Sequence, residues 1–298
     1  MIKLKLIMAV VFSSLVLILL NVSTVSPRNH RSESNIPGPV SGSWIIVVPA
    51  GSDKARLQLQ GQWKNNASVH VPLLQLQGLS TTEVHSNGSS VNFQLVREAG
   101  KFTFTGLFRK GTGTGEWIFK GNSAFLDGLT KHGYEHITEE DLYALALSDV
   151  GITYIRELEL AGYRRLTTTQ MVGLYTNNVT TDYIASLESV GYKKLSPNEL
   201  VALRSNGITA KDASIFSKLV VGNIPAVQLI ALESNGVTEA YIRSLQEVGY
   251  NQLTAGQLIA LRTNGVTRDF IQRLQQRGYE RLTVERILSL RNKLPREF

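Results

Sequence analysis

The 298-residue chain contains no cysteine. That absence excludes disulfide staples, thiolate metal sites and lipid attachment through an N-terminal cysteine, so packing alone must stabilise the fold. Histidine is scarce as well: His30, His70, His85, His132 and His136 are the full set. His132 and His136 stand four apart beside Glu135, Glu139 and Glu140. A zinc site would need both imidazoles on one helical face, and Gly133 interrupts any helix between them. No phosphate-binding Gly-x-x-x-x-Gly-Lys-Ser/Thr loop occurs, and no Gly-x-Ser-x-Gly elbow. The run Gly111-Thr112-Gly113-Thr114-Gly115 reads as a hairpin turn, because no helix N-terminus follows to hold an anion. No nucleophile, metal or cofactor constellation emerges, so the expectation is a protein that is not an enzyme and carries no cofactor.

The charge is unevenly spread. Net charge is +7, yet residues 123–298 carry nineteen basic and nineteen acidic side chains. Lys3 and Lys5 supply two of the seven charges, and the other five lie in residues 27–122, with ten basic against five acidic. A basic balance can signal nucleic acid, but the N-terminus points out of the cytoplasm. Lys3 and Lys5 precede an apolar stretch over residues 6–20, and small polar residues follow. That order is a secretory signal peptide over residues 1–26 or, since residues 6–25 carry no charge, an uncleaved membrane anchor. Both place the rest in an extracytoplasmic location, periplasmic or secreted, where no nucleic-acid partner is expected.

Residues 27–41, "PRNHRSESNIPGPVS", have the composition of a flexible linker. From residue 42 to 121 the hydrophobic period is two. Leu57, Leu59, Gly61 and Trp63 alternate with Arg56, Gln58, Gln60 and Gln62, and Phe102, Phe104, Gly106 and Phe108 do the same. Such alternation predicts half-buried antiparallel strands, roughly at 43–48, 55–63, 68–72, 91–98, 101–109 and 115–120. The segment "PLLQLQGLSTTEV" reads as a short helical or irregular crossover. An antiparallel meander or small barrel is expected, with Trp63, Phe93, Phe102, Phe104 and Trp117 as aromatics of its inner face.

From residue 122 to 298 the period becomes 3.6 under an unbroken repeat of 29. Leu145, Leu174, Leu203, Leu232, Leu261 and Leu290 form one column, and Tyr134, Tyr163, Tyr192, Val221, Tyr250 and Tyr279 another. Thr138, Thr167, Ser196, Thr254 and Thr283 sit where helices must start, and Gln170, Glu199 and Gln257 complete capping boxes. Asp149, Asn178, Gly207, Gly236 and Gly265 stand where those helices must end, being the residue types that best tolerate a left-handed backbone. Thr180, Thr209, Thr238 and Thr267, with Asn122 first, cap a second helix. The fold class is therefore α+β in segregated domains: the β domain, then an α-helical solenoid of two-helix repeats. The fourth copy departs, with Val220-Val221 for Gly-Tyr and Pro225 for the capping Thr.

The phrases "VPLLQLQGLS", "FQLVREAGKFTFTGLFRKGTGTGEWIF", "DLYALALSDV", "YIRELELAGY" and "LTAGQLIALRTNGV" resemble the C-terminal region of bacterial beta-lactam-sensing antirepressor metallopeptidases. The resemblance spans about residues 43–292. It implies an extracytoplasmic accessory module for sensing or protein binding. The peptidase's His-Glu-x-x-His helix is absent, so no catalytic residue carries over. A binding role through the solenoid's concave face, toward another protein, is expected, with the varying column Arg204, Glu233, Arg262 and Arg291 as its candidate surface. The alternative is a small-ligand carrier using the interior of the β domain.

Overall fold

The computed structural model describes residues 40–61 and 66–293. The signal or anchor, Trp63, and the linker up to residue 39 lie outside those residues. Among the described residues no helix is long and apolar enough to cross a membrane. The chain divides into two compact units. The first runs to Gln94 and includes Thr103–Phe119; the second comprises Leu95–Phe102 and everything from Lys120 onward.

Alternating apolar residues give the strands β1 (Val40–Val47), β2 (Lys54–Gly61), β3 (Ala67–Pro72), β4 (Leu76–Gln77), β5 (Asn87–Arg97), β6 (Gly100–Arg109) and β7 (Thr112–Gly121). They form one seven-stranded sheet in the order β3-β2-β1-β7-β6-β5-β4. Chain neighbours are thus sheet neighbours except β3 and β4, which form the two edges, and the first strand β1 pairs antiparallel with the last strand β7. This is the strand order of an up-and-down barrel left open between β3 and β4, a half-barrel. Strand β1 begins at Val40, two residues inside the expected linker, because Val40 is buried and pairs with Phe119. The "PLLQLQGLSTTEV" segment forms the 3₁₀ turn Leu73–Gln75, β4 and the one-turn helix α1 (Thr81–Val84). Ser80 and Glu83 close a capping box at the start of α1.

The glycine run 111–115 departs from its sequence reading. Only Lys110 and Gly111, both at positive φ, make the turn between β6 and β7. Two consecutive left-handed residues match the twist of a two-residue hairpin, so the strands close at once. Gly113 and Gly115 are strand residues. A Cβ on Gly113 would lie 2.7 Å from the Phe108 ring. On Gly106 it would lie 2.7 Å from the Trp44 indole, and 2.2 Å from the Thr114 carbonyl oxygen. Glycine here makes room for aromatic rings lying across neighbouring strands, a device that permits tight sheet curvature.

The helices obey the 29-residue register. One series is α3 (Glu139–Leu147), α5 (Thr168–Thr176), α7 (Pro197–Ser205), α9 (Ala226–Ser234), α11 (Ala255–Thr263) and α13 (Val284–Lys293). The other is α2 (Ser123–Lys131), α4 (Ile152–Leu160), α6 (Thr181–Ser189), α8 (Ala210–Leu219), α10 (Glu239–Gln246) and α12 (Arg268–Gln276). First-series helices pack against the equivalent helix one repeat away, from α3 on α5 through α11 on α13, and in the second series α2 packs on α4, α6 on α8 and α8 on α10. That is the contact pattern of a solenoid. The leucine columns are its spine: Leu145, Leu174, Leu203, Leu232 and Leu261 are fully buried. Thr138, Thr167, Ser196 and Thr254 form the capping boxes, each hydroxyl accepting from the amide three residues on. Asp149, Asn178, Gly207, Gly236 and Gly265 all adopt the left-handed conformation, with φ between 54° and 72°.

One column breaks rule for a visible reason. Gly151 occupies the N-cap of α4, where Thr180, Thr209, Thr238 and Thr267 serve the later helices. The missing hydroxyl is replaced from the β5–β6 turn: Glu98 Oε2 accepts from the Ile152 amide at 2.9 Å. A Cβ on Gly151 would stand 2.7 Å from that carboxylate. Arg97 pairs with Asp149 at 3.2 Å, and the Glu98 carbonyl accepts from Asn122 Nδ2. The hairpin tip therefore closes the first end of the helical array, the role of a capping repeat.

Candidate interaction surface

The column Arg204, Glu233, Arg262 and Arg291 has a structural occupation. The Arg204 guanidinium lies 4.8 Å from the centre of the Tyr183 ring, Arg262 lies 5.0 Å from Tyr241, and Arg291 lies 5.2 Å from Phe270. Each arginine reaches back one repeat and covers an aromatic of the preceding second helix. Stacking of this kind fixes the planar guanidinium while leaving its edge free to donate. Arg204 Nε donates to the carbonyl of Asn178, the left-handed residue closing α5. One repeat earlier Tyr175 replaces the arginine and meets Tyr154 edge-on at 5.0 Å. In the fourth copy both partners change: Asp212 stands for the aromatic and Glu233 for the arginine.

The aromatic column also carries a hydrogen-bond ladder that sequence reasoning missed. Tyr154, Tyr183 and Tyr241 donate to the carbonyls of Val179, Ile208 and Val266, 25 residues ahead, at 2.8–2.9 Å. Burial pushes the Tyr183 and Tyr241 hydroxyls up to about 12; Arg204 and Arg262 respectively pull the other way. The signal was present in the sequence as an aromatic recurring at the third position of the second helix.

A second ladder uses the tyrosine column read from the sequence. Tyr163, Tyr192 and Tyr250 donate to Leu195, Ile224 and Leu282, 32 residues ahead, at 2.7–2.9 Å. The rings sit between hairpins and their hydroxyls tie one repeat to the next. Where Val221 interrupts the column, the chain is extended and the Val221 amide itself donates to Leu253, again 32 residues ahead, at 3.0 Å. The backbone thus supplies the bond that the absent hydroxyl would have made.

His132 and His136 do not form a common site. His132 Nδ1 lies 2.8 Å from Glu159 Oε2, in the next second helix. His136 is almost wholly exposed in a left-handed turn. Among the described residues no three His, Cys, Asp or Glu side chains are grouped to hold a metal ion. In the sheet unit, Trp44 meets Phe93 and Phe104 edge-on, Phe93 stacks on Phe104 at 4.8 Å, and both indole N–H groups donate to strand carbonyls. These rings spend their faces on one another.

What stays exposed and variable is the turn pair after each tyrosine. It reads Glu135-His136, Arg164-Arg165, Lys193-Lys194, Gly222-Asn223, Asn251-Gln252 and Glu280-Arg281. Every member is exposed. No protein-family model matches the chain, and no curated protein matches it.

Proposed function

We propose that this chain is an exported, non-catalytic interaction or sensory module that binds another protein through its helical array. The observation that carries this reading is the division between columns. Leucines, caps, tyrosines and the arginine–aromatic pairs are committed to joining repeats, whereas the turn pairs are exposed and differ from copy to copy. A constant frame with a variable outer edge is how repeat arrays present a recognition surface. The resemblance to the accessory region of antirepressor metallopeptidases supports the same reading, and the signal-like residues 1–26 support export or tethering outside the cytoplasm.

The test is site-specific photocrosslinking in intact cells. Probes at the exposed turn-pair positions Asn223 and Asn251 should give one discrete adduct, and a probe at Ser68 on the sheet should give none. Absence of any adduct from the array, with the protein correctly exported, overturns the proposal.

A further inference from the structure

Four of the six turn pairs are mixed or neutral, but two consecutive ones hold only cations: Arg164-Arg165 and Lys193-Lys194. These turns lie side by side, because the Tyr163 hydroxyl, next to Arg164, donates to the carbonyl of Leu195, next to Lys194, at 2.8 Å. All four side chains are exposed, and none of them forms an ion pair among the described residues. Two neighbouring carboxylates are engaged elsewhere, Glu159 by His132 and Glu199 by the Ser196 capping box. Glu157 and Glu188 line the hollow between α4 and α6, and Glu188 also acts on the Tyr163 hydroxyl, but neither forms an ion pair with these cations among the described residues.

The turn itself does not call for these residues. Arg165 and Lys194 adopt φ of 55° and 58°, where asparagine or glycine would be more comfortable. Helix dipoles offer no reason either. Each pair stands between the negative end of one helix and the positive end of the next, so the two effects oppose. The same column accepts Glu135 and Glu280.

We infer that the adjacent turns 164–165 and 193–194 form a docking site for an acidic peptide segment of a protein partner. Four unpaired cations on a two-repeat ridge match a short run of Asp or Glu side chains by charge complementarity. A flat anionic membrane fits less well, because the neighbouring turn carrying Glu135 belongs to the same edge. This inference rests on the interaction-module reading and names the chemistry of its partner.

The test uses fluorescein-labelled octaglutamate with the full chain, followed by anisotropy. Binding should be measurable at low salt and weaken as salt rises. The variant Arg164→Gln/Arg165→Asn/Lys193→Gln/Lys194→Asn removes four charges while placing a better left-handed residue in each turn. It should bind at least roughly tenfold more weakly, with a melting temperature equal to or above that of the parent. A charge-matched control, Arg56→Gln/Lys101→Gln/Arg109→Gln/Lys120→Gln, should bind like the parent. Equal loss in the control, unchanged binding by the turn variant, or a turn-dependent affinity for phosphatidylglycerol vesicles without peptide binding would each overturn the inference. If the turn variant still gives the parent's crosslinked adduct in cells, the module reading stands and the acidic site falls; if the parent gives no adduct, the broader reading falls first.

Discussion

A single tyrosine here does three jobs at once. The Tyr183 ring is buried, its hydroxyl donates to the Ile208 carbonyl of the next repeat, and Arg204 covers its face. Tyr183→Phe keeps the ring and the arginine but leaves a buried carbonyl without its partner. We expect a loss of about 1 kcal/mol, read as a lower urea midpoint with an unchanged m-value. The pH dependence follows from the same geometry. Burial raises the Tyr183 and Tyr241 hydroxyls to about 12, above the value of 10.0 that an exposed tyrosine has. Above pH 10 the unfolded chain therefore releases protons that the folded chain keeps, so stability must fall as pH rises. The contribution is intact below pH 10 and is lost as pH climbs through about 12. Melting curves between pH 9 and 12 should show a shallower alkaline decline for Tyr183→Phe/Tyr241→Phe than for the parent.

Among the elements, α4 owes its start to a residue from a β-turn. Glu98 accepts from Ile152 where the later second helices use their own threonine. Glu98→Ala should cost about 1 kcal/mol by leaving that N-terminus uncapped. Gly151→Thr alone should also destabilise, since its Cβ would press on the Glu98 carboxylate. Combined, the two should partly cancel, because removing Glu98 gives the new threonine both space and an unfilled cap. A double-mutant cycle on denaturation midpoints measures that coupling, and additive losses would refute the substitution of one cap for the other. This case also marks what the sequence made legible. The columns Thr180, Thr209, Thr238 and Thr267 announce their helices locally, since a cap and its amide stand within three residues. Gly151 looks like a simple lapse, because its compensation comes from Glu98, 54 positions upstream of the Ile152 amide it accepts from. The same limit explains Gly106 and Gly113. Alternation located strands β6 and β7, but only the approach of Phe108 and Trp44 across strands shows why glycine sits inside one. The arginine column was visible as variation, whereas its stacking partners one repeat back were not.

At the scale of the whole array, stability is approximately a sum of repeat and interface contributions, so the weakest joint decides where it opens. The joint around α8 and α9 lacks three features its neighbours have. Asp212 and Glu233 replace the aromatic–arginine stack, no hydroxyl reaches from position 212 to the Val237 carbonyl, and Pro225 gives α9 no side-chain cap. The Val221–Leu253 backbone bond restores only one of the inter-repeat ties. Native-state hydrogen exchange should therefore show earlier opening of α8 and α9 than of α5–α7. Installing the consensus pair, Asp212→Tyr with Glu233→Arg, tests the cause. Asp212→Tyr gives up the Thr209 capping box, but Tyr183, Tyr241 and Phe270 occupy the same position without one. The double variant should gain about 1 kcal/mol over the sum of its single variants, and slow exchange in α8 and α9 specifically. If the midpoint rises but exchange at that joint does not slow, the array opens elsewhere and the missing stack is not its weak point.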